Sequence, residues 1–211
     1  MTKKERAAAV TELLKEVYPE AVCALHYTHD YELLFATRLS AQCTDARVNI
    51  VTEKLFKQFP TLQSFADASE EEIAEAIKTC GLFRTKARDL KACAMMLIAN
   101  YGGRVPDTME ELLKLPGVGR KTANLILGDI FGKPAIVCDT HCIRLSNRLG
   151  FVKNEKDPVK VENALRKLLD PAESSDFCHL VLFGREHCTA RSPKCEGCPL
   201  GAVCPSYPIA K

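Results

Sequence analysis

Apolar residues recur at the three- and four-residue spacing of an α-helix along almost the whole chain. We find no run of alternating apolar and polar residues of the kind that half-buried β-strands produce. The pattern therefore predicts an all-α protein. We place its helices at residues 4–17, 31–41, 46–59, 70–79, 85–100, 109–114, 120–131, 140–148, 158–169 and 175–186.

Local signals indicate where several of these helices begin and end. Asp45 precedes one helix, and Ser69 leads into three glutamates in the manner of a capping box. Asp157 precedes a proline at the first helical position, where the missing N–H costs nothing. Glycines at positions 81, 102, 132 and 150 follow predicted helix ends.

The segment L-L-K-L-P-G-V-G-R-K-T-A-N-L-I-L at residues 112–127 predicts two helices joined by a tight turn. Proline disfavours a helical residue before it, and the two glycines permit backbone conformations that are closed to other residues. The first N–H groups of the second helix lack intrahelical partners and suit a phosphate. Most such turns only connect helices. Lys121 favours a functional interpretation, because the helix dipole disfavours a cation there unless an anion or a reaction requires it.

The overall charge is close to neutral. The chain has 29 basic and 27 acidic residues, a net charge of +2, which falls short of the basic character typical of nucleic-acid-binding domains. Such a role must rest on local basic clusters, and the chain contains three: Arg84, Lys86, Arg88 and Lys91; Lys114, Arg120 and Lys121; Arg185, Arg191 and Lys194. Taken alone, each cluster is more typical of a solvated surface.

The N-terminal segment is charged and amphipathic, without the apolar core and cleavage site of a signal peptide. No apolar run approaches the ~20 residues of a membrane span. We therefore expect a cytoplasmic protein that does not associate with membranes, with its eleven cysteines reduced. We interpret the scattered ones as buried small hydrophobes: Cys23, Cys43, Cys80, Cys93, Cys138, Cys142 and Cys178.

The remaining four cysteines are clustered near the C-terminus. Cys188, Cys195, Cys198 and Cys204 form the pattern C-x6-C-x2-C-x5-C in a segment rich in proline and glycine. A segment this short buries little apolar surface, so an inorganic core would be needed to order it. Four thiolates suit a tetrahedral Zn²⁺ ion or an iron–sulfur cluster, and the spacing alone does not separate the two.

Several motifs occur in the order found in one known family. They are L-P-G-V-G-R-K-T-A, V-C-D-T-H at 137–141 and the cysteine pattern, extended by L-S-A-Q-C-T-D at 39–45 and C-G-L-F-R-T-K-A at 80–87. Together they resemble the endonuclease III family of the helix-hairpin-helix DNA glycosylase superfamily over nearly the whole chain. The resemblance implies a [4Fe–4S] cluster and two helical lobes. A six-helix lobe would span residues 22–133, and a cluster lobe would combine residues 1–21 and 134–211.

The resemblance also implies an activity. Such an enzyme is a bifunctional DNA glycosylase and AP lyase of base excision repair, which removes oxidised pyrimidines and cleaves 3′ to the abasic site by β-elimination. Lys121 matches the family's nucleophile, whose amine attacks C1′ of the sugar and forms a Schiff base. Asp139 matches the family's aspartate, which assists lysine deprotonation or stabilises positive charge on the sugar. Asp139 is also well placed as a helix N-cap, and the two roles are compatible.

The partner implied is double-stranded DNA containing damaged pyrimidines or abasic sites, bound between the lobes by a monomeric, nucleoid-associated enzyme. The implied contacts are Gln42 and Leu82 in the base stack, the backbone amides of Gly117, Val118 and Gly119 on phosphate, and Arg191 and Lys194 on the DNA backbone. Without the resemblance, Gln42 would be interpreted as a polar helix-end residue and Leu82 as a turn hydrophobe.

Two alternatives stay open from the sequence. Mismatch-specific relatives in the superfamily are monofunctional and carry serine or tyrosine in place of the lysine, so Lys121 favours the bifunctional branch. A non-catalytic, cluster-stabilised DNA-binding module would leave Lys121 and Asp139 idle. His141 is expected to order the site by hydrogen bonding. Cys80, Cys138 and Phe183 depart from residues common in the family, which bears on base preference.

Overall fold

The computed structural model describes residues 1–175, 177 and 179–209. These residues contain helices and turns and no strand, which confirms the all-α class. The α-helices of this part of the chain are Lys3–Val17 (α1), Asp30–Leu39 (α2), Asp45–Gln58 (α3), Leu62–Asp67 (α4), Glu70–Ala76 (α5), Phe83–Tyr101 (α6), Met109–Leu112 (α7), Arg120–Asp129 (α8), Thr140–Arg148 (α9), Pro158–Leu165 (α10) and His179–Glu186 (α11). Short 3₁₀-helices lie at Lys78–Cys80, Pro171–Glu173 and Gly201–Val203.

Side-chain caps begin several helices. Ser69 and Asp157 cap α5 and α10 as predicted, and Ser69 forms a complete capping box with Glu72. The cap of α3 lies one residue earlier than predicted, because Thr44 accepts the N–H of Arg47 while Asp45 is already helical. These caps satisfy N–H groups that the helix itself leaves without partners.

Other boundaries differ from the prediction. The sequence prediction missed α4, since six residues show too little periodicity, although Thr61 and Ser64 form its capping box. The helix predicted over 70–79 ends at Ala76 and tightens into a 3₁₀ turn before Gly81, which has φ 63°. Part of the helix predicted over 175–186 falls on residues 176 and 178, which lie outside the described residues.

The chain divides into two compact units. We call Val22–Phe131 the hairpin unit, because it contains the turn between α7 and α8. Met1–Ala21 together with Gly132–Lys211 forms the second unit, which we call the cysteine unit. The cysteine unit is therefore built from two segments that the whole hairpin unit separates along the chain.

The hairpin unit is organised around α6. Helices α4 and α5 pack against it, and α2 contacts α3, α6 and α8. Phe35 and Phe65 meet edge to face with ring centroids 4.9 Å apart, a favoured aromatic geometry. The core side chains that are fully buried include Leu33, Leu39, Leu55, Ile73, Leu97 and Ile126.

In the cysteine unit, α1 and α9 pack on α11, and α10 packs on α9. Its core contains Val10, Leu14, Leu145, Phe177 and Phe183, among other buried residues. Three cysteines of the C-terminal pattern, Cys188, Cys198 and Cys204, border this core. Within the described residues, no helix has the length and apolar character needed to cross a lipid bilayer.

Candidate active site and metal centre

The turn between α7 and α8 presents backbone amides at the start of α8. Leu112 and Leu115 are buried and anchor the turn, and the N–H of Val118 donates to the Leu115 carbonyl at 3.1 Å. Gly119 is the N-cap of α8 and has no side chain to occupy the first-turn N–H groups. Gly119 itself is exposed, and N–H groups at such a helix start are suited to binding an anion.

Lys121 lies in the first turn of α8, and its side chain is exposed. The neighbouring residues Ala123, Ile126 and Leu127 are buried and hold the helix against the core of the hairpin unit. A lysine in this position is supported by a rigid helix and remains accessible to a substrate. This arrangement suits a nucleophilic amine.

Gly117 fits closely over a partly buried ion pair. Arg38 donates to Asp89 Oδ2 through Nε at 2.9 Å and through Nη2 at 2.6 Å, joining α2 to α6. Gly117 has φ 75°, and a Cβ atom there would lie 2.7 Å from Arg38 Nε. The turn therefore requires glycine both for its backbone conformation and for the space it occupies.

We expect Gly117→Ala to lower the free energy of unfolding and, since the family resemblance implies a phosphate contact at this turn, to weaken DNA binding. A left-handed residue with a side chain costs on the order of 1–3 kcal/mol, and the clash with Arg38 adds to this and displaces the turn. Gly102→Ala is the matched control, because Gly102 also has positive φ, 60°, but open space for a Cβ atom. Denaturant titration and fluorescence anisotropy with an abasic-analogue duplex measure the two effects. Equal losses in both variants would mean that the Arg38 contact is unimportant.

Asp139 is the N-cap of α9. Its Oδ1 accepts the N–H of Cys142 at 2.8 Å, and the residue is half-buried. Capping uses one carboxylate oxygen and leaves Oδ2 for another role. The capping role expected from the sequence is confirmed, and it fixes the carboxylate at the start of a helix.

His141 contacts a side chain on the same helix. Its Nδ1 lies 3.1 Å from Arg144 Nη2, and Arg144 also donates to the Gly184 carbonyl at 2.8 Å. A Cβ atom at Gly184 would lie 2.8 Å from His141 Nδ1, so α9 and α11 approach closely at this glycine. His141 is thus part of a hydrogen-bonded contact between the two helices.

Gln42 and Leu82 share an unusual backbone conformation. Apart from Asn154, they are the non-glycine residues with positive φ in the described part of the chain, at 57° for Gln42 and 47° for Leu82. Both are exposed, and Leu82 retains 57% of its accessible surface. Residues held in such strained conformations cluster at functional sites. An exposed leucine on a strained turn suits insertion into an apolar partner surface such as a base stack.

The C-terminal cysteines line one cavity. Cys188, Cys195, Cys198 and Cys204 surround it together with Arg148, and its empty volume, including the part open to solvent, is about 390 Å³. No group of three or more His, Cys, Asp or Glu side chains within the described ranges is arranged to hold a single metal ion. The four thiols share one cavity, and this donor set suits a tetrahedral Zn²⁺ ion or an iron–sulfur cluster.

Hydrogen bonds from the protein reach two of these sulfur atoms. Arg148 Nη1 lies 3.1 Å from Cys188 Sγ, and the N–H of Ile209 lies 3.4 Å from Cys195 Sγ. Donors of this kind stabilise thiolates and orient metal ligands. The donor set therefore fits an anionic, thiolate-bound inorganic centre.

Helix α9 also holds the backbone that follows the first of these cysteines. Arg144 Nε donates to the carbonyl of Cys188 at 3.2 Å, and Arg148 donates to those of Thr189 and Ala190 at 2.8 and 3.0 Å. The sequence analysis did not identify these arginines. Their spacing of four residues on one helix face was the signal available.

Arg191 and Lys194 lie in the loop between the first two cysteines, and both are exposed. A hydrogen bond from Thr189 Oγ1 to the Ser192 carbonyl, at 2.7 Å, closes this loop. The N–H of Lys194 donates to the His187 carbonyl at 2.9 Å. The loop backbone is therefore fixed while its basic side chains face solvent.

The burial expected of the scattered cysteines is found for some of them. Cys80, Cys93, Cys138 and Cys142 are buried, whereas Cys23 and Cys43 are half-buried. Cys178 lies outside the described residues. Burial raises the pKa of the Cys93 thiol to about 12, which keeps it protonated and unreactive at neutral pH.

Two family profiles match this chain. Residues 35–171 match the HhH-GPD superfamily of base excision DNA repair proteins, and residues 188–204 match the iron–sulfur binding domain of endonuclease III. A protein of Synechocystis sp. named endonuclease III is 44% identical over 207 residues, which are 97% of this chain and 94% of the relative. The second match decides between the alternatives for the metal centre, because it identifies an iron–sulfur cluster and excludes the zinc ion.

Solved structures agree with these matches. The chain is similar to a trapped endonuclease III–DNA covalent intermediate, with a TM-score of 0.91, 42% identity and coverage of 97% of both chains. It is also similar to a thermostable thymine-DNA glycosylase, with a TM-score of 0.86, 27% identity and coverage of 96% of this chain and 97% of the other.

Proposed function

Because the chain belongs to the endonuclease III family of base excision DNA repair proteins, and is thereby a DNA glycosylase and abasic-site lyase with a [4Fe–4S] cluster, we propose the residues and the substrate of its reaction. The helix-hairpin-helix DNA glycosylase architecture predicted from the sequence is confirmed. We propose that the enzyme works as a monomer at the nucleoid, on double-stranded DNA that contains oxidised pyrimidines or abasic sites. Lys121 is the proposed nucleophile and Asp139 its catalytic partner.

The observation that carries this proposal is the position of Lys121. It is an exposed lysine in the first turn of α8, directly after a turn whose amides suit a phosphate. The solved relative is described as a covalent intermediate with DNA, which requires a protein nucleophile. An amine at the start of a rigid helix, next to an anion-binding turn, supplies one.

The proposed reaction proceeds through a Schiff base. The neutral amine of Lys121 attacks C1′ of the damaged nucleotide, and the glycosidic bond breaks as the base leaves with its electron pair and takes up a proton. The nitrogen then loses a proton, and its electron pair breaks the C1′–O4′ bond, so that the sugar ring opens as O4′ takes up a proton. The resulting iminium acidifies C2′. Loss of a C2′ proton then breaks the C3′–O bond by β-elimination and releases the 3′ phosphate. Water hydrolyses the imine and restores the lysine.

We propose that other residues bind and shape the DNA. The amides of Gly117, Val118 and Gly119 bind a backbone phosphate, and Gln42 and Leu82 enter the base stack when the damaged nucleotide flips out. Arg191 and Lys194 add contacts to the DNA backbone. Support for this division comes from the exposed surface at Gly119 and from the exposed, strained positions of Gln42 and Leu82.

The four C-terminal cysteines are the proposed ligands of the [4Fe–4S] cluster, which supplies a rigid inorganic core to residues 188–204 when bound. The protein contributes the hydrogen bond from Arg148 to Cys188 Sγ. Arg148 also binds the carbonyls of the loop that carries Arg191 and Lys194. A bound cluster would thus fix the loop that we propose contacts DNA.

Cleavage of defined duplexes tests the proposed activity. Wild-type protein is incubated with duplexes containing single oxidised pyrimidines, an abasic site or a T·G mismatch, and a parallel reaction contains borohydride. We expect strand cleavage at oxidised pyrimidines and abasic sites, with covalent trapping in borohydride. Base release from the mismatch alone, without cleavage or trapping, would instead identify a monofunctional glycosylase. DNA binding without any product would identify a non-catalytic module.

Two substitutions at Asp139 separate its capping role from its chemical role. Asparagine caps helices as well as aspartate, so Asp139→Asn should keep the free energy of unfolding while lowering the rate by roughly 10²–10⁴-fold. Asp139→Ala should lose the same activity and about 1 kcal/mol of stability. Asp157→Ala, which removes the cap of α10, is the control and should lose stability but not activity. Full activity in Asp139→Asn would show that the carboxylate is only a cap.

A further inference from the structure

Lys86 is a fully buried lysine on α6. It faces inward on the same side of the helix as Leu90, Cys93 and Leu97, at the spacing of a core stripe. An ammonium group in such a place is destabilising unless hydrogen bonds compensate for its lost hydration. Burial lowers the pKa of Lys86, whereas the neighbouring Cys80 and Cys43 oppose this shift.

Three backbone carbonyls compensate the charge. Lys86 Nζ donates to the oxygens of Leu39, Ala41 and Cys80, at 2.8, 2.8 and 2.6 Å respectively. An ammonium group has three N–H donors, whereas a neutral amine has two. The acceptors therefore match the protonated side chain, with one carbonyl for each proton.

These carbonyls belong to two segments that are remote in the chain. Leu39 ends α2 and Ala41 precedes Gln42, while Cys80 ends a 3₁₀-helix and is followed by Gly81 and Leu82. We call residues 39–43 the first turn segment and residues 78–82 the second. A single buried nitrogen atom joins both.

Each segment carries one of the two proposed stack-entering residues, and each holds it in a left-handed conformation, with φ 57° at Gln42 and 47° at Leu82. Such conformations cost on the order of 1–3 kcal/mol per residue and persist only where the surroundings enforce them. Burial raises the pKa of Cys80, and the nearby thiol of Cys43 adds to this shift, so the two segments also approach each other at these cysteines. Of the two links, Lys86 provides the charged one, and charge-assisted hydrogen bonds are the stronger kind.

We propose that Lys86 is a positioning residue for lesion recognition. It holds the first and second turn segments at the distance that lets Gln42 and Leu82 enter the DNA base stack together. This inference rests on the proposed roles of Gln42 and Leu82. Lys86 is buried, so it acts on DNA only through the two segments. It should therefore matter for a base-paired substrate, in which a stack must be opened, and not for the covalent chemistry of Lys121.

The test compares duplex and single-stranded substrates. Lys86→Met replaces the ammonium by an apolar side chain of similar length, and Lys86→Gln keeps an N–H donor on a shorter one. Borohydride trapping rates are measured on an abasic site in a duplex and on the same strand without its complement. We expect the ratio of duplex to single-strand rate to fall roughly 10- to 100-fold, the scale on which misplaced positioning groups lower rates.

Lys91→Met is the matched control. Lys91 lies on the same helix and also donates to a backbone carbonyl, that of Ala68, but this acceptor lies at the end of α4. Its loss should affect the free energy of unfolding without changing the ratio of rates. Thermal melting and iron content of each variant show whether it is folded.

A double-mutant cycle tests the route of the effect. If Lys86 acts through the two turns, Lys86→Met should change the ratio little in a Gln42→Ala/Leu82→Ala background, because coupled residues are not additive. An undiminished effect in that background would overturn the proposal. A wild-type ratio in Lys86→Met would also overturn the proposal, because it would show that Lys86 has no role in positioning. Equal losses on both substrates, or failure of both Lys86 variants to fold, would overturn it as well, because either result would show only a general role in stability.

Failure of the underlying function would look different. Absence of trapping in the wild-type protein would contradict the proposed reaction. Wild-type behaviour of Gln42→Ala/Leu82→Ala on duplex DNA would contradict the proposed stack entry and, with it, the role of Lys86.

Discussion

Lys121→Ala is expected to abolish covalent trapping on abasic DNA and to lower the cleavage rate by roughly three orders of magnitude or more, as the loss of a catalytic nucleophile does in other enzymes. The alanine side chain has no amine to attack C1′, so the Schiff base cannot form. The β-elimination that depends on the Schiff base cannot occur either. Lys121 is exposed, and the buried residues of α8 lie elsewhere on the helix, so the fold should not change. Single-turnover cleavage and gel analysis of trapped complexes measure the loss.

Lys121→Arg is the charge-preserving control. Arginine stays protonated in proteins and cannot serve as a nucleophile, while its positive charge next to the anion-binding turn is kept. We expect binding of an abasic-analogue duplex close to that of the wild type, without trapping. Trapping of Lys121→Ala at the wild-type rate would show that another amine forms the Schiff base.

Cys198→Ala is expected to remove most of the bound iron and several kcal/mol of stability, because the free energy of metal binding contributes directly to folding. Cys198 lines the cavity that the other three cysteines share, so its loss leaves the cluster with an incomplete set of ligands. Residues 188–204 should then become accessible to protease, and DNA affinity should fall through Arg191 and Lys194. Iron analysis, visible absorbance, thermal melting and limited proteolysis check these outcomes.

Cys93→Ala separates this effect from the loss of any buried thiol. Cys93 is buried in the hairpin unit, where its replacement should cost about 1 kcal/mol and leave the iron content unchanged. Full iron occupancy and wild-type proteolysis in Cys198→Ala would contradict the assignment of Cys198 as a ligand. Equal loss of iron in Cys93→Ala would indicate that cluster loading follows general stability.

Much of the fold was predictable because helices are encoded locally. The core stripe of α6 and the caps at Ser69 and Asp157 are short-range patterns that survive in the structure. Helix α4 was missed because it spans fewer than two turns. The early end of α5 depends on the turn at Gly81, which no helical periodicity reports.

The positions of the candidate site residues were predictable where they lie in contiguous motifs, and their supporting contacts were not. Asp139 could be identified as an N-cap from its neighbours. Arg38 and Asp89 are 51 residues apart, and Lys86 reaches across a separation of 47 to Leu39. The sequence analysis grouped Lys86 with exposed basic residues, although its spacing from Leu90 and Cys93 places it on the buried stripe.

The division of the cysteine unit into two segments has a consequence for how the protein is made. Helix α1 buries Val10 and Leu14 against a core that includes Leu180 and Phe183. At about 5–20 residues per second, a ribosome completes those partners on the order of ten seconds after α1. During that interval the hairpin unit is synthesised in full, while the core that receives the apolar face of α1 stays incomplete. Docking of α1 and delivery of iron to the last cysteines therefore belong to the same late stage of biogenesis.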